Sequence, residues 1–218
     1  MDFLKVKTPW LAKKAFPAYI WNIPSNEKVI YLTFDDGPTP EITEETLDIL
    51  AQYNAKATFF CIGKNVTAYP GIYQRIINED HAIGNHTHNH IKGWLTKKSN
   101  YIENILASEK VFLSQSPNPK SQIPKLFRPP YGKLKPSQGK ALQKLGYKII
   151  MWDVLARDWD KAISKESVLN NIINNTEDGS IVVLHDSIKA SKNMLYALPK
   201  ALDYFSKKGF IFKKIELH

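Results

Sequence analysis

Residues 31–38 read YLTFDDGP, an apolar run that ends in two adjacent aspartates and then in a glycine and a proline. The apolar part predicts a buried strand, and Gly37-Pro38 predicts a turn that ends it. Adjacent strand residues point to opposite faces, so Asp35 and Asp36 can act at one place only if the chain turns at once. Adjacent carboxylates are costly to ionise unless a positive group lies beside them. The stretch therefore indicates either a cation site at a strand end or an ordinary Asp-Gly-Pro loop.

The composition is that of a soluble globular protein with one domain. The chain has 218 residues, of which 43% are hydrophobic and 11% aromatic. The net charge is +9, but the lysines come as scattered pairs and not as one basic block. This distribution favours a solvated lysine-rich surface over nucleic-acid binding. Cys61 is the single cysteine, so no disulfide can form within the chain.

The N-terminal residues carry no recognisable membrane or export segment. No run of about 20 apolar residues occurs, and Lys5, Lys7, Lys13 and Lys14 interrupt the apolar stretch that a signal peptide needs. We therefore expect a protein that is cytoplasmic or peripheral to the membrane, with no transmembrane segment. Residues 1–28 are expected to form an extension that packs on a domain of residues 29–218, and the protein is expected to be a monomer.

Strand-like and helix-like segments alternate along the whole chain. The predicted strands are residues 29–34, 57–62, 82–85, 126–129, 148–152, 181–184 and 210–215. The predicted helices begin near Thr43, taken as an N-cap, and then cover about 69–79, 101–113, 136–145, 165–174 and 194–205, with a surface loop at 114–124. This alternation predicts parallel strands with right-handed crossovers. The fold class is thus α/β, a closed or nearly closed single-domain (β/α) barrel of seven or eight strands, with ligands at the C-terminal ends of the strands.

Polar clusters follow five of the predicted strands. They are Asp35-Asp36, residues 86–90 (HTHNH), residues 128–132 (RPPYG), Asp153 with Asp158-Trp159, and His185-Asp186. A barrel brings these strand ends to one rim. The sequence therefore predicts one polar site assembled from five separate segments.

The histidine cluster can provide metal ligands in one of two ways. In an extended chain His86 and His90 would lie about 13 Å apart, too far to share an ion, whereas on a helical turn they share a face and His88 points away. If the segment stays extended, all three histidines share a face and the ligand choice changes. Two histidines and one carboxylate, with a position left for water, are a usual ligand set of a hydrolytic zinc site.

These strings, taken together, resemble the five ordered motifs of the polysaccharide deacetylases, the NodB-homology domain of carbohydrate esterase family 4. The strings are residues 33–38, 86–90, 128–132, Asp158-Trp159 and Leu184-His185, and the resemblance covers about residues 29–215. It implies a distorted (β/α) barrel and metal-dependent removal of acetyl groups from sugars. The implied substrate is an acetylated polysaccharide or oligosaccharide.

The resemblance also implies a role for each matching residue. Asp36, His86 and His90 would hold the metal, with Zn2+ as the first choice and Co2+, Ni2+ or Mn2+ also accepted by such ligands. Asp35 would be the base that deprotonates the metal-bound water, and His185 the acid that protonates the departing amine. Arg128 would pair with Asp35, and Asp158 would orient His185. The substrate-binding residues would be Pro129, Tyr131 through its backbone N–H, and an apolar wall of Trp159 and Leu184.

Two features of this assignment are open at the level of sequence. Arg128 and Asp158 could instead pair with each other as part of the barrel rim. Members of the family usually carry an acid three residues before the Asp of the Asp-Trp pair, and this chain has Leu155 there. Asp153 either takes the place of that acid or the interaction is absent.

The leading hypothesis is removal of acetyl groups from a polymer that contains N-acetylglucosamine, such as peptidoglycan or chitin. Alternatives with the same fold and metal are O-acetylated xylan or a small amide as substrate. A catalytically idle glycan-binding protein is a further alternative, against which the intact Asp35, Asp36, His86, His90 and His185 argue.

Overall fold

A computed structural model of the protein describes residues 5–116 and 125–217. Its strands are β1 (Val29–Asp35), β2 (Ala57–Cys61), β3 (Ala82–Asn85), β4 (Leu126–Phe127), β5 (Lys148–Ile149), β6 (Val154–Leu155), β7 (Ile181–His185) and β8 (Ile211–Phe212). Its helices are α1 (Trp10–Ala15), α2 (Ile42–Gln52), α3 (Gly63–Ala68), α4 (Pro70–Asn78), α5 (Lys98–Gln115), α6 (Pro136–Lys144), α7 (Lys165–Asn175) and α8 (Ser191–Lys207). Single 3-10 turns cover Gly93–Leu95 and Pro130–Gly132.

The strands of the described residues form one curled parallel sheet, an incompletely closed barrel. Their order is β5-β4-β3-β2-β1-β7-β6, and β8 pairs with the start of β1. Neighbouring strands along this order run parallel, as expected for strands joined by helical crossovers. The predicted α/β barrel fold is therefore confirmed.

Strand β1 lies at the middle of the sheet and is buried along its whole length. A strand covered on both faces reads as a continuous apolar run, which explains the pattern of residues 29–34. On one face Phe34 stacks on Phe59 of β2 with ring centroids 5.0 Å apart, in the core between the sheet and the helices. The register sets Asp35 beside His185 of β7 and beside Phe60 of β2. The two polar residues thus leave the sheet side by side at its C-terminal edge.

The N-terminal segment fills the gap between the two outer strands of the sheet. The Lys7 backbone pairs with Val154 of β6, and the Ile20 backbone pairs in parallel with Ile150, directly after β5. Backbone hydrogen bonds from the Thr8 N–H to the Asp153 carbonyl (2.8 Å) and from the Met151 N–H to the Ile20 carbonyl (2.7 Å) support these pairings. Residues before β1 are therefore part of the sheet's closure.

Several elements differ from the sequence-based predictions. The strand predicted at residues 148–152 is shorter in the structure, as β5, and neither β6 nor α3 was predicted. Thr43 is not an N-cap: Glu41 holds that position, and the buried Thr43 hydroxyl accepts the Thr39 N–H at 2.7 Å. Helix α5 continues to Gln115 into the predicted loop, and residues 117–124 of that loop lie outside the described residues. Within the described chain, no helix is both long enough and apolar enough to cross a membrane.

Candidate active site

The turn after β1 separates the two adjacent aspartates. Asp36 has a positive φ of 83° and is followed by a cis Gly37–Pro38 peptide bond. The side chain of Asn65 donates a hydrogen bond to the Asp36 carbonyl at 2.8 Å, and the carboxylate of Asp186 accepts the Gly37 N–H at 3.1 Å. The predicted turn thus exists, and it directs the two carboxylates to different partners.

Asp36, His86 and His90 converge on one point. Their ligand atoms all lie within 4.8 Å of one another. Asp36 Oδ1 lies 3.2 Å from His90 Nε2 and 3.7 Å from His86 Nε2. The same oxygen is buried without a hydrogen-bond partner among the described residues. Three potential ligands around a buried, unsatisfied carboxylate oxygen are the arrangement that a bound cation would complete.

The backbone of the histidine cluster is neither helical nor extended. Thr87 and His90 have positive φ values of 66° and 52°, so the expected helical turn is wrong. The tight loop still brings His86 and His90 together, with ring centroids 5.1 Å apart. His88 points away from them, with its Nδ1 near Gly63. His86 and His90 are therefore brought together by a tight loop and not by the helical turn that was expected.

The surroundings of His86 suit a neutral metal ligand. Its Nδ1 lies 2.8 Å from the Arg128 carbonyl, which requires a proton on Nδ1 and leaves the Nε2 lone pair facing Asp36. Burial lowers the pKa of His86 to about 4, which keeps the ring neutral at physiological pH. Burial by itself raises the pKa of Asp36, but contact with His90 and the charges of His185 and His86 lower it well below its usual range. These residues fit a divalent cation.

Asp35 forms a buried ion pair with Arg128. Arg128 Nη1 lies 2.8 Å from Asp35 Oδ1 and donates at 2.7 Å to Thr33 Oγ1. The remaining guanidinium donors reach the carbonyls of Met151 at 2.9 Å and Ile150 at 3.2 Å, and the guanidinium lies 4.1 Å from the centroid of the Phe60 ring. Arg128 therefore holds Asp35 in position, and the alternative pairing with Asp158 is wrong.

His185 is held by Asp158 from two directions. Asp158 Oδ1 lies 2.9 Å from His185 Nδ1, and Oδ2 accepts the His185 backbone N–H at 2.7 Å. Burial by itself lowers the pKa of His185, but the charge and hydrogen bond of Asp158, together with Asp36 and Asp35, raise it to about 9. Trp159 packs edge-on against the ring at 4.6 Å. The imidazole is thus oriented and protonated at neutral pH.

One cavity of about 620 Å³ collects these groups. Its lining includes Asp35, Asp36, His86, His90, Tyr131, Trp159 and His185. The ring of Tyr131 is half exposed and lies 4.7 Å from the ring of His90, and Trp94 meets the same tyrosine at 5.5 Å. The structure therefore brings together the expected metal ligands, the expected base and acid, and some of the residues expected to bind substrate.

Two residues expected to bind substrate lie elsewhere. Leu184 is fully buried in the core between sheet and helices, because its side chain points to the face opposite His185. Val183, two residues before His185, lines the cavity instead, and strand alternation alone could have identified it. Pro129 is buried and does not line the cavity, and its carbonyl accepts the Gly132 N–H at 2.9 Å. Pro129 therefore supports the turn that carries Tyr131.

Asp153 does not take the place of the acid that Leu155 replaces. The Asp153 carboxylate is bound by Lys7 at 2.6 Å, Lys13 at 2.7 Å and the Ser180 hydroxyl at 2.6 Å. Ser180 precedes β7, so this cluster lies at the N-terminal end of that strand, away from His185. Leu155 itself lines the cavity with an apolar side chain.

Sequence reasoning gave Asp186 no role. Asp186 is fully buried. Its Oδ1 accepts the Gly37 N–H, and its Oδ2 accepts the Thr43 hydroxyl at 2.6 Å. Asp186 therefore links helix α2 to the turn after β1. Burial raises the pKa of Asp186 to about 7, with the nearby charge of Asp36 acting in the same direction. Its place directly after His185 was the only available signal.

The family match agrees with this geometry. The polysaccharide deacetylase family model matches residues 22–150. A peptidoglycan-N-acetylglucosamine deacetylase of Bacillus cereus is 37% identical over 194 residues, which cover 88% of this chain and 88% of that protein. A chitooligosaccharide deacetylase of Azorhizobium caulinodans is 35% identical over 164 residues, 75% of this chain and 76% of that protein. The chain belongs to the polysaccharide deacetylase family, the family that its sequence motifs indicated.

Solved structures give the same result for the fold. A crystal structure of a peptidoglycan N-acetylglucosamine deacetylase in complex with 4-naphthalen-1-yl-N-oxidanyl-benzamide has a TM-score of 0.86 and 33% identity, covering 95% of each chain. The CE4 domain of a multidomain xylanase from a termite hindgut metagenome has a TM-score of 0.78 and 29% identity, covering 87% of this chain and 88% of that one. Relatives with different named substrates therefore share this fold.

Proposed function

We propose that the protein is a metal-dependent N-deacetylase of a glycan that contains N-acetylglucosamine, with peptidoglycan as the substrate class. One observation carries the proposal: the Asp36–His86–His90 cluster, Asp35 and His185 all border one cavity, with Asp35 held by buried Arg128 and His185 by buried Asp158. A metal-ligand cluster, a base and an acid are the parts that metal-dependent hydrolysis of an amide uses. The similarity to peptidoglycan deacetylases over most of both chains supports the choice of polymer.

A divalent cation held by Asp36, His86 and His90 would polarise the acetyl carbonyl and make a water molecule easier to deprotonate. Two histidines and a carboxylate suit Zn2+, and the same ligand set accepts Co2+, Ni2+ or Mn2+.

Asp35 is the proposed base. Its carboxylate is anchored on one side by Arg128, so its free oxygen can accept a proton from the attacking water without moving. His185 is the proposed acid, because Asp158 keeps it protonated and oriented through Nδ1, which leaves Nε2 for the substrate. As the C–N bond of the acetamide breaks, His185 gives its proton to the amine nitrogen, and acetate and the free amine leave. Trp159, Val183 and Leu155 exclude water around the acetyl methyl.

The first test is release of acetate from peptidoglycan, chitooligosaccharides and acetylated xylan. Activity should disappear with EDTA and return with added Zn2+ or Co2+. Asp35→Asn and His185→Ala should each lower kcat by about 10²- to 10⁴-fold, the range for loss of a general base or acid.

Asp203→Asn is a matched control, since Asp203 is half-buried on α8 and pairs only with Lys207 within the described chain. It should keep the wild-type rate. Wild-type rates in Asp35→Asn or His185→Ala, or full activity in EDTA, would refute the proposed roles. Release of acetate from acetylated xylan alone would mean that xylan, and not peptidoglycan, is the substrate.

A further inference from the structure

A second cavity adjoins the active-site cavity on the side of His185. It has a volume of about 610 Å³ and is formed by the residues that follow β6 and β7. Lys189 lines both cavities. Asn193, on the wall of the second cavity, donates a hydrogen bond to the Asp158 carbonyl at 3.1 Å. A substrate bound at His185 can therefore extend directly into this second cavity.

The second cavity is strongly basic. Lys161, Lys165, Lys189 and Lys192 line it, and Glu166 is the single acid among its described lining residues. Glu166 lies 4.0 Å from Lys165, whose ammonium also lies over the Tyr196 ring. The other three lysines are exposed and form no ion pair within residues 5–116 and 125–217.

The nearby acid of the same loop is already neutralised. Asp160 pairs with Arg157 at 2.6 Å and accepts the Ala162 N–H at 2.9 Å. The cavity thus keeps an excess of about three positive charges beside the reaction centre. Such a charge is unfavourable unless an anion occupies the site or solvent screens it.

The cavity wall also has apolar surface. The Ile188 side chain is 80% exposed, and Ile163 lies beside the lysines. Lysines mixed with isoleucines suit a ligand with carboxylates on a partly apolar framework, such as a short peptide, better than a bare phosphate.

We propose that this cavity, lined by Lys161, Lys165, Lys189 and Lys192, binds the carboxylate-bearing peptide of a glycan strand during deacetylation of the neighbouring sugar. The inference rests on the proposed function and deepens it. Peptidoglycan carries carboxylates on its stem peptides, whereas a chitooligosaccharide carries none. The cavity therefore selects acidic, peptide-bearing glycan over neutral glycan.

The test compares two substrates and two double variants. The substrates are a soluble peptidoglycan fragment that keeps its stem peptides and a chitooligosaccharide with the same number of sugars. The test variant is Lys161→Gln with Lys192→Gln. The control, Lys140→Gln with Lys144→Gln, removes the same charge from α6, away from both cavities.

The ratio of kcat/KM for the acidic to the neutral substrate should fall about fivefold in the test variant and stay at the wild-type value in the control. Raising NaCl from 0.05 to 0.5 M should lower the wild-type ratio, because salt screens exposed charges. An equal fall in both variants, or no fall in either, would overturn the proposal.

Calorimetric binding of the same two compounds separates this proposal from the proposed function. If wild type releases acetate from neither substrate, the proposed function fails. Tighter binding of the peptide-bearing fragment by wild type than by Lys161→Gln/Lys192→Gln would still support the cavity's role, and equal binding would overturn it. If poly(glycerol phosphate) competes for the cavity more strongly than the peptide-bearing fragment does, the cavity prefers phosphate, and the proposal that it binds carboxylates is overturned.

Discussion

His81, a buried histidine outside the proposed metal-ligand cluster, should make the protein sensitive to acid. It lies between α4 and β3 with a side chain that is 6% exposed. Its Nδ1 accepts the backbone N–H of Ala57 at 3.1 Å, at the start of β2, and its ring meets Phe59 edge-on. Accepting that hydrogen bond requires an unprotonated Nδ1. Protonation would remove the acceptor and place a charge in the core.

The size of the effect follows from the pKa of His81. Burial lowers it from 6.5 to about 4, with Lys56, Lys214 and Arg75 acting in the same direction and Asp80 opposing them. The unfolded chain therefore takes up a proton near pH 6.5 and the folded chain only near pH 4. The contribution of neutral His81 to the free energy of unfolding is therefore fully present above pH 6.5. It is lost as the pH falls toward 4. At pH 5 the loss is about 2 kcal/mol.

Urea unfolding at pH 7.5 and pH 5.0 measures this loss, with the metal concentration held constant. His81→Asn keeps a neutral acceptor near the Ala57 N–H, so its free energy of unfolding should fall between the two pH values by about 2 kcal/mol less than that of wild type. His81→Phe removes both the titration and the acceptor. It should show the same reduced pH dependence and lower stability at both pH values, by about 1–3 kcal/mol for the unsatisfied N–H.

Other groups titrate in this range, but they are common to all three proteins, so only the difference between them reports on His81. Equal losses in wild type and His81→Asn would refute the reasoning. The acid sensitivity would then come from other groups, and the Ala57–His81 hydrogen bond would be structural only.

Three further predictions concern the active site. Asp158→Asn removes the charge that holds the pKa of His185 near 9, so the alkaline limb of the kcat/KM profile should move toward pH 6.5; an unmoved limb would mean that Asp158 only orients the ring. Arg128→Met leaves a buried carboxylate without its partner and should cost about 3–5 kcal/mol in urea unfolding, whereas a cost below about 1 kcal/mol would contradict the pairing. Gly37→Ala would place a Cβ 2.0 Å from the Asp186 carboxylate, so it should displace the turn, lower stability by about 1–3 kcal/mol and weaken zinc binding; wild-type zinc affinity measured by calorimetry would contradict this.

Local patterns in the sequence were sufficient to predict most strands of the sheet. The apolar run before Asp35, the strand at residues 82–85 and the glycine that ends α6 each contain their own signal, and each element occurs as predicted. Apart from Asp153, the polar clusters could be assigned to one edge of the sheet because parallel strands share one C-terminal edge.

Features that depend on tertiary contacts were not predictable in this way. The loop of His86 and His90 uses left-handed backbone at two non-glycine residues, which propensity disfavours and surrounding contacts must impose. One such contact is the Asn104 side chain, whose oxygen accepts the His88 and Asn89 N–H groups at 2.9 and 3.1 Å. Strand β6 has two residues and pairs with Val182 and Val183 of β7, so its pattern is too short to read.

The closure of the sheet by the N-terminal segment affects how the protein folds during synthesis. Lys7 leaves the ribosome before every strand of the sheet, and its partner Asp153 follows 146 residues later. At about 5–20 residues per second, the segment waits on the order of 7–30 s for β6 to be made. During that time the apolar side chains that pack against the core in the folded protein, Val6, Ile20, Trp21 and Ile23, have no complete core to contact. The segment before β1 is therefore exposed to aggregation until β6 has been made, although it is synthesised before every strand of the barrel.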